Sequence, residues 1–107
     1  KELEWYRDRG YTIVETSYQY VNFRNGGKYY FKDNYHFKND FNFTDVTIVG
    51  YKNLEFDKLN SSGIIFAPNG EISVQNDCDF TGIIISKKTT LNNNTKLIYK
   101  VYSDLPF

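Results

Sequence analysis

"SSGIIFAPNGEISVQ", residues 61–75, decides how the rest of the chain is read. Two apolar runs, Gly63–Ala67 and Glu71–Gln75, flank Pro68-Asn69-Gly70. Proline presets φ and lacks an N–H, while Asn and Gly tolerate positive φ, so the triplet reads as a chain reversal. Two strands around a reversal make a β-hairpin, and a hairpin predicts an antiparallel sheet.

The downstream residues fit that reading. "NDCDFTG" (76–82) is a connection, "GIIISKK" (82–88) a strand, "LNNNT" (91–95) a turn and "KLIYKVY" (96–102) a last strand. In that segment Leu97, Tyr99 and Val101 alternate with Lys96, Ile98 and Lys100. Period-two alternation gives one buried and one wetter face, as in an antiparallel sheet.

Upstream, "YTIVETSYQYVNF" (11–23) is rich in β-branched and aromatic residues. Asn25-Gly26-Gly27 can take the positive φ of a tight hairpin before the strand Tyr29–Phe31. "KDNYHFKNDFNF" (32–43) reads as a loop or irregular crossing, and "DVTIVGY" (45–51) and "NLEFDKL" (53–59) as strands. Only "KELEWYRDRG" (1–10) is helical in character: Glu2 and Glu4 come early, Arg7 and Arg9 late, and Gly10 offers a stop. It is short for a free helix and reads as the last turns of a longer one. The expected fold is α+β, mostly β, with a short N-terminal helix packed on antiparallel sheets. One domain spans 1–107, with 1–10 as helix tail and 11–107 β-rich, and no internal repeat or linker is visible.

Composition narrows the function classes. Thirteen basic residues balance thirteen acidic ones, without the basic surplus that phosphate binding requires. Nucleic acid is therefore an unexpected partner, and Lys87-Lys88 reads as a solvated strand end. Ten Tyr, nine Phe and no Met suit pleated, half-buried surfaces. The frequent Asn reads as the product of an AT-rich genome. The single cysteine, Cys78, excludes an intramolecular disulfide, and Asp77 and Asp79 beside it would raise its pKa, so it reads as structural. No run approaches the roughly 18 apolar residues of a membrane helix. Without a signal peptide or initiator Met, Lys1 is expected to be the start of a trimmed or processed product.

Motifs for chemistry are absent. His36, the only histidine, has no partner at ligand or triad spacing. Glu55, Asp57, Glu71, Asp77 and Asp79 are candidate paired carboxylates, but spacing sets no two of them across a cleft. "NDCDFTG" lacks the Gly and closing Glu of a calcium loop. No phosphate cradle or nucleophile elbow occurs. The expectation is no catalytic, cofactor-binding or metal-binding residue, no cofactor and no small-molecule substrate. The tyrosines serve either as an aromatic platform for sugar rings or single-stranded bases, or as amphipathic strand residues.

The pattern Phe66, Pro68, Gly70, then Gly82, Ile83 and Ile85, then Lys96 to Tyr102, resembles the C-terminal half of type IV pilin-like proteins. The nearest group is the minor pilins and pseudopilins of the H-type secretion subunit and of competence systems. The resemblance spans residues 63–102 by pattern and the remainder by order of elements. It lacks the family's processing site and hydrophobic helix, and "YSDLPF" (102–107) stands where a closing Gly is common. It implies a long N-terminal helix ending at "KELEWYR", anchored in the membrane before assembly. It further implies a non-enzymatic structural subunit of a pilus, type II secretion or competence filament, at the cell surface, with other pilin subunits as partners. The alternative is a small extracellular β-rich module that recognises carbohydrate or a surface through Tyr-rich faces.

Overall fold

The computed structural model describes residues 1–107. One helix, α1 (Leu3–Asp8), precedes seven strands: β1 (Thr12–Val14), β2 (Lys28–Phe31), β3 (Tyr35–Phe41), β4 (Val46–Gly50), β5 (Leu54–Val74), β6 (Cys78–Thr90) and β7 (Thr95–Tyr99). Every strand pairing is parallel. The expected antiparallel sheet is not formed. The chain winds as a solenoid, each row lying against the row before it. Register partners are 17 to 19 residues apart: Thr12 with Tyr29, Lys28 with Thr47, Val46 with Gly63, Gly63 with Gly82, Gly82 with Tyr99.

The correction has a physical cause at Pro68-Asn69-Gly70. These residues lie inside β5, at a register shift between Ala67 and Glu71. They turn a corner and do not reverse the chain. Proline is tolerated there because the ladder is already broken and no N–H is required. A Cβ on Gly70 would lie 2.1 Å from the Lys52 carbonyl oxygen, so only glycine allows the previous row to pass this close. Asn25-Gly26-Gly27 likewise leads into β2 without closing a hairpin, and residues 35–41, expected as a loop, form β3.

Apolar runs such as Val46–Gly50 and Gly63–Ala67 suit a parallel sheet covered on both faces. Inward residues build one core that includes Tyr29, Phe31, Phe37, Ile48, Phe56, Ile65 and Phe80. Outward from the same strands, Tyr30 and Val49 are buried with Tyr6 of α1 and with Tyr11, which follows the helix. Residues 100–107 cross this outer face as a strap. Tyr102 and Lys100 reach Asp45, Lys28 pairs with Asp104 at 3.1 Å, and the Phe107 ring lies 4.9 Å from Phe66.

Asparagines hold the corners, which gives their abundance a structural use. The Asn53 amide N–H donates to Asn34 Oδ1, and Glu71 N–H donates to Asn53 Oδ1, a ladder through three successive rows. Thr44 N–H donates to Asn25 Oδ1 in the same manner. Phe23 plugs the N-terminal end of the coil, its ring within 6.5 Å of Tyr29, Phe31, Tyr35, Phe37, Phe41 and Phe43. Cys78 is part of the core, and burial, then Asp79, push its thiol pKa up.

The helix–strap contact is expected to make the fold alkali-sensitive. Tyr6 Oη donates to the Pro106 carbonyl at 2.8 Å. Burial, then Tyr30, push the Tyr6 phenol up to about 12; burial, then Asp104 and Tyr6, do the same for Tyr11. A raised folded pKa favours the folded state below the unfolded value of about 10, and this is lost as pH rises toward 12. The melting temperature is therefore expected to fall between pH 10 and 12, and less steeply in Tyr6→Phe. That variant also loses a hydrogen bond, about 1 kcal/mol at neutral pH. A wild-type melting temperature that stays flat across that window would contradict the assignment.

Candidate functional site

Register creates a cluster that no local motif announces. In β3 and β5, Tyr35 pairs with Leu54, His36 with Glu55 and Phe37 with Phe56. Tyr35, Phe37, Leu54 and Phe56 turn inward against the core. Alternation sends His36, Glu55 and Asp57 outward on one face. His36 Nε2 lies 2.6 Å from Asp57 Oδ1 and 3.7 Å from Glu55 Oε2.

A bulge completes the arrangement. The β3 register shifts between Phe37 and Asp40, and Asn39 takes φ of 64°. Its N–H donates to Asp57 Oδ2 at 3.0 Å. The His36 hydrogen bond first, then the Asn39 amide, hold the Asp57 carboxyl below its usual range, against the opposing pull of desolvation.

Beside this cluster lies a depression of about 390 Å³ reached by Ser17, Asn34, Asn53, Glu71 and Ser73. It adjoins a second depression of about 640 Å³ at the plugged end, and the two share Ser17, Tyr35 and His36. Tyr18 and Tyr20 line the second depression and are 86% and 84% exposed as residues. Their segment is tied down: Tyr35 Oη donates to the Gln19 carbonyl, Glu15 N–H donates to Gln19 Oε1, and Phe23 is wedged into the core. The two rings thus stand on an anchored loop.

His36 hydrogen-bonds to Asp57, and no hydroxyl or thiol joins the pair to make a nucleophile. His36, Glu55 and Asp57 offer donor atoms within 4.8 Å of one another, and these are the residues that could hold a divalent cation. His36 and Asp57 already hydrogen-bond to each other, so the cluster alone designates no metal.

Of the carboxylates singled out in the sequence, Glu55 and Asp57 come together and Glu71 lines the same depression. Asp77 is engaged elsewhere, accepting from Asn94, and Asp79 pairs in register with Lys96. Spacing could not find the His36 cluster, because its members are 19 and 21 residues apart and only the coil period joins them. No family model, curated protein or solved structure matches this chain.

Proposed function

We propose that this chain is a non-enzymatic recognition module that takes a carbohydrate across Tyr18 and Tyr20 and the adjoining His36 face. The observation that carries the reading is the pair of anchored, exposed tyrosine rings beside a polar depression. Sugar rings present C–H faces that stack on aromatic rings, and hydroxyls that need acceptors and donors such as Glu55, Asn34 and Asn53. Such ligands are met outside the cell or at its surface, so an extracellular location belongs to the proposal. No helix is long and apolar enough to cross a membrane. The filament-subunit reading drew in part on a hairpin around Pro68-Asn69-Gly70, and the single strand that runs through those residues removes that part of its support.

The test is calorimetric titration with a panel of soluble oligosaccharides. The expected result is binding to at least one, weakened roughly tenfold or more by Tyr18→Ala with Tyr20→Ala, at unchanged melting temperature. Binding indifferent to both rings, or no binding across the panel, would overturn the reading.

A further inference from the structure

The two ends of the solenoid differ. The N-terminal end is plugged by Phe23. At the other end, β7 pairs with β6 on one side and with no strand on the other. Ile84 and Leu91 pack on the core there, and Leu97 stands in register beside Phe80. Leu97 is 51% exposed, whereas its register partner Phe80, one row inward, is 2% exposed. The strap does not close this end, because residues 100–107 turn away toward Asp45, Lys28 and Tyr6. An open parallel row of this kind is a ready template for another strand.

Charge selects the strand. Residues 81–100 contain Lys87, Lys88, Lys96 and Lys100 and no carboxylate side chain, in a chain of zero net charge. Lys100 reaches Asp45 at 3.8 Å; the other three form no ion pair. In the row above, Glu71 stands in register with Lys88 and Asp79 with Lys96. Each of these two lysines therefore has an acidic neighbour across the ladder on one side and an open position on the other. A second copy is a poor occupant. Two lower ends would set lysines against lysines, and the opposite end offers the three-residue edge of β1 and the edge of β3, which is broken by the bulge at Asn39.

We infer that the β6–β7 edge is a docking site for an extended segment of another protein in which apolar and acidic residues alternate. The segment adds one more parallel or antiparallel row by backbone hydrogen bonds. Its core-directed residues cover Leu97 and Ile84, and its outward residues sit beside Lys96 and Lys88. This surface adjoins the His36 depression at Glu71, the register partner of Lys88, but the inference does not depend on the ligand there.

The probe is a fluorescein-labelled synthetic peptide of alternating valine and glutamate, read by anisotropy against the full chain. Controls are the valine–lysine counterpart and a glutamate peptide interrupted by prolines, which cannot donate along the ladder. The glutamate peptide is expected to bind, to weaken with salt, and to lose at least tenfold in affinity with Lys88→Glu plus Lys96→Glu. The same double variant, with an unchanged circular dichroism spectrum, is expected to gain affinity for the lysine peptide. Three results would overturn the inference: no binding of the glutamate peptide, equal binding of the proline-interrupted peptide, or affinities unmoved by the charge reversal. Concentration-dependent dimers of the unmodified chain in sedimentation, lost with Leu97→Lys, would assign the edge to a second copy and overturn it as well.

Discussion

Alanine at Gly63 or Gly82 is expected to cost about 2–6 kcal/mol of stability, the largest loss of any single substitution in the coil. Both glycines hold φ values that side chains rarely adopt, +137° and +146°. They stack in register, between Val46 on one side and Tyr99 on the other. A Cβ on Gly63 would sit 1.8 Å from the Val46 carbonyl oxygen, and one on Gly82 would sit 1.9 Å from the Gly63 carbonyl oxygen. Those are backbone atoms, held by the ladder, and cannot step aside as a flexible side chain would. Backbone strain costs about 1–3 kcal/mol and overpacking about 1–3 more. Against a net stability of about 5–15 kcal/mol for a domain of this size, that sum removes much of the margin. Gly10 supplies the contrast: its φ is +81°, yet nothing lies within 4 Å of its would-be Cβ. Gly10→Ala should therefore cost only about 1–2 kcal/mol. Urea unfolding followed by far-ultraviolet circular dichroism separates the three variants. If Gly63→Ala and Gly10→Ala shift the midpoint equally, the close stacking of rows at Val46, Gly63 and Gly82 is wrong.

Phe56→Ala should cost about 3–5 kcal/mol. Phe56 is fully buried and stacks on Phe37 with ring centroids 4.2 Å apart and planes 9° from parallel. Its edge meets Phe41 at 5.6 Å. The walls of the resulting cavity are strands pinned in register on both sides, so collapse into the space is resisted and the cavity term persists. Tyr99→Ala is the matched control, since that ring is 74% exposed and its loss should shift stability by about 0.5 kcal/mol or less. Thermal and urea unfolding of both variants measure the difference. A cost for Phe56→Ala near that of Tyr99→Ala would place Phe56 outside the core.

Strand positions were legible and strand direction was not. Val46–Gly50, Gly63–Ala67 and Gly82–Ser86 read as strands because β-branched and aromatic residues dominate them. Period-two burial, however, is the same for parallel and antiparallel neighbours. Neither the alternation of residues 96–102 nor the turn residues therefore fix direction, and Pro68-Asn69-Gly70 serves a corner as well as it would serve a reversal. The repeat was present but uneven. Thr47-Ile48-Val49-Gly50, Ile64-Ile65-Phe66-Ala67 and Ile83-Ile84-Ile85-Ser86 share an apolar centre and a small last residue, at offsets of 17 and then 19. Unequal offsets hide a repeat from a search at fixed period. β3 was obscured by its polar outward residues and by the bulge at Asn39, which breaks the alternation between Phe37 and Phe41.

The site was the least legible part. Glu55 and Asp57 were visible as carboxylates two apart, and His36 as the one imidazole. What joins them is the coil length between β3 and β5, a property of the corners and not of any of the three residues. The exposed tyrosines posed the opposite difficulty. Ten tyrosines in the chain look alike in sequence, yet Tyr6 and Tyr29 are core while Tyr18 and Tyr20 stand in solvent.

The strap sets a timetable for biosynthesis. Neighbouring rows find each other after 17 to 19 residues, so the coil can grow as the polypeptide leaves the ribosome. The bond from Tyr6 to Pro106 spans 100 residues. At translation rates of about 5–20 residues per second, α1 waits roughly 5–20 s for the segment that pins it. During that interval Tyr6, Tyr11 and Phe66 lack their final cover, and the nascent chain presents an aromatic face to chaperones that the finished protein conceals.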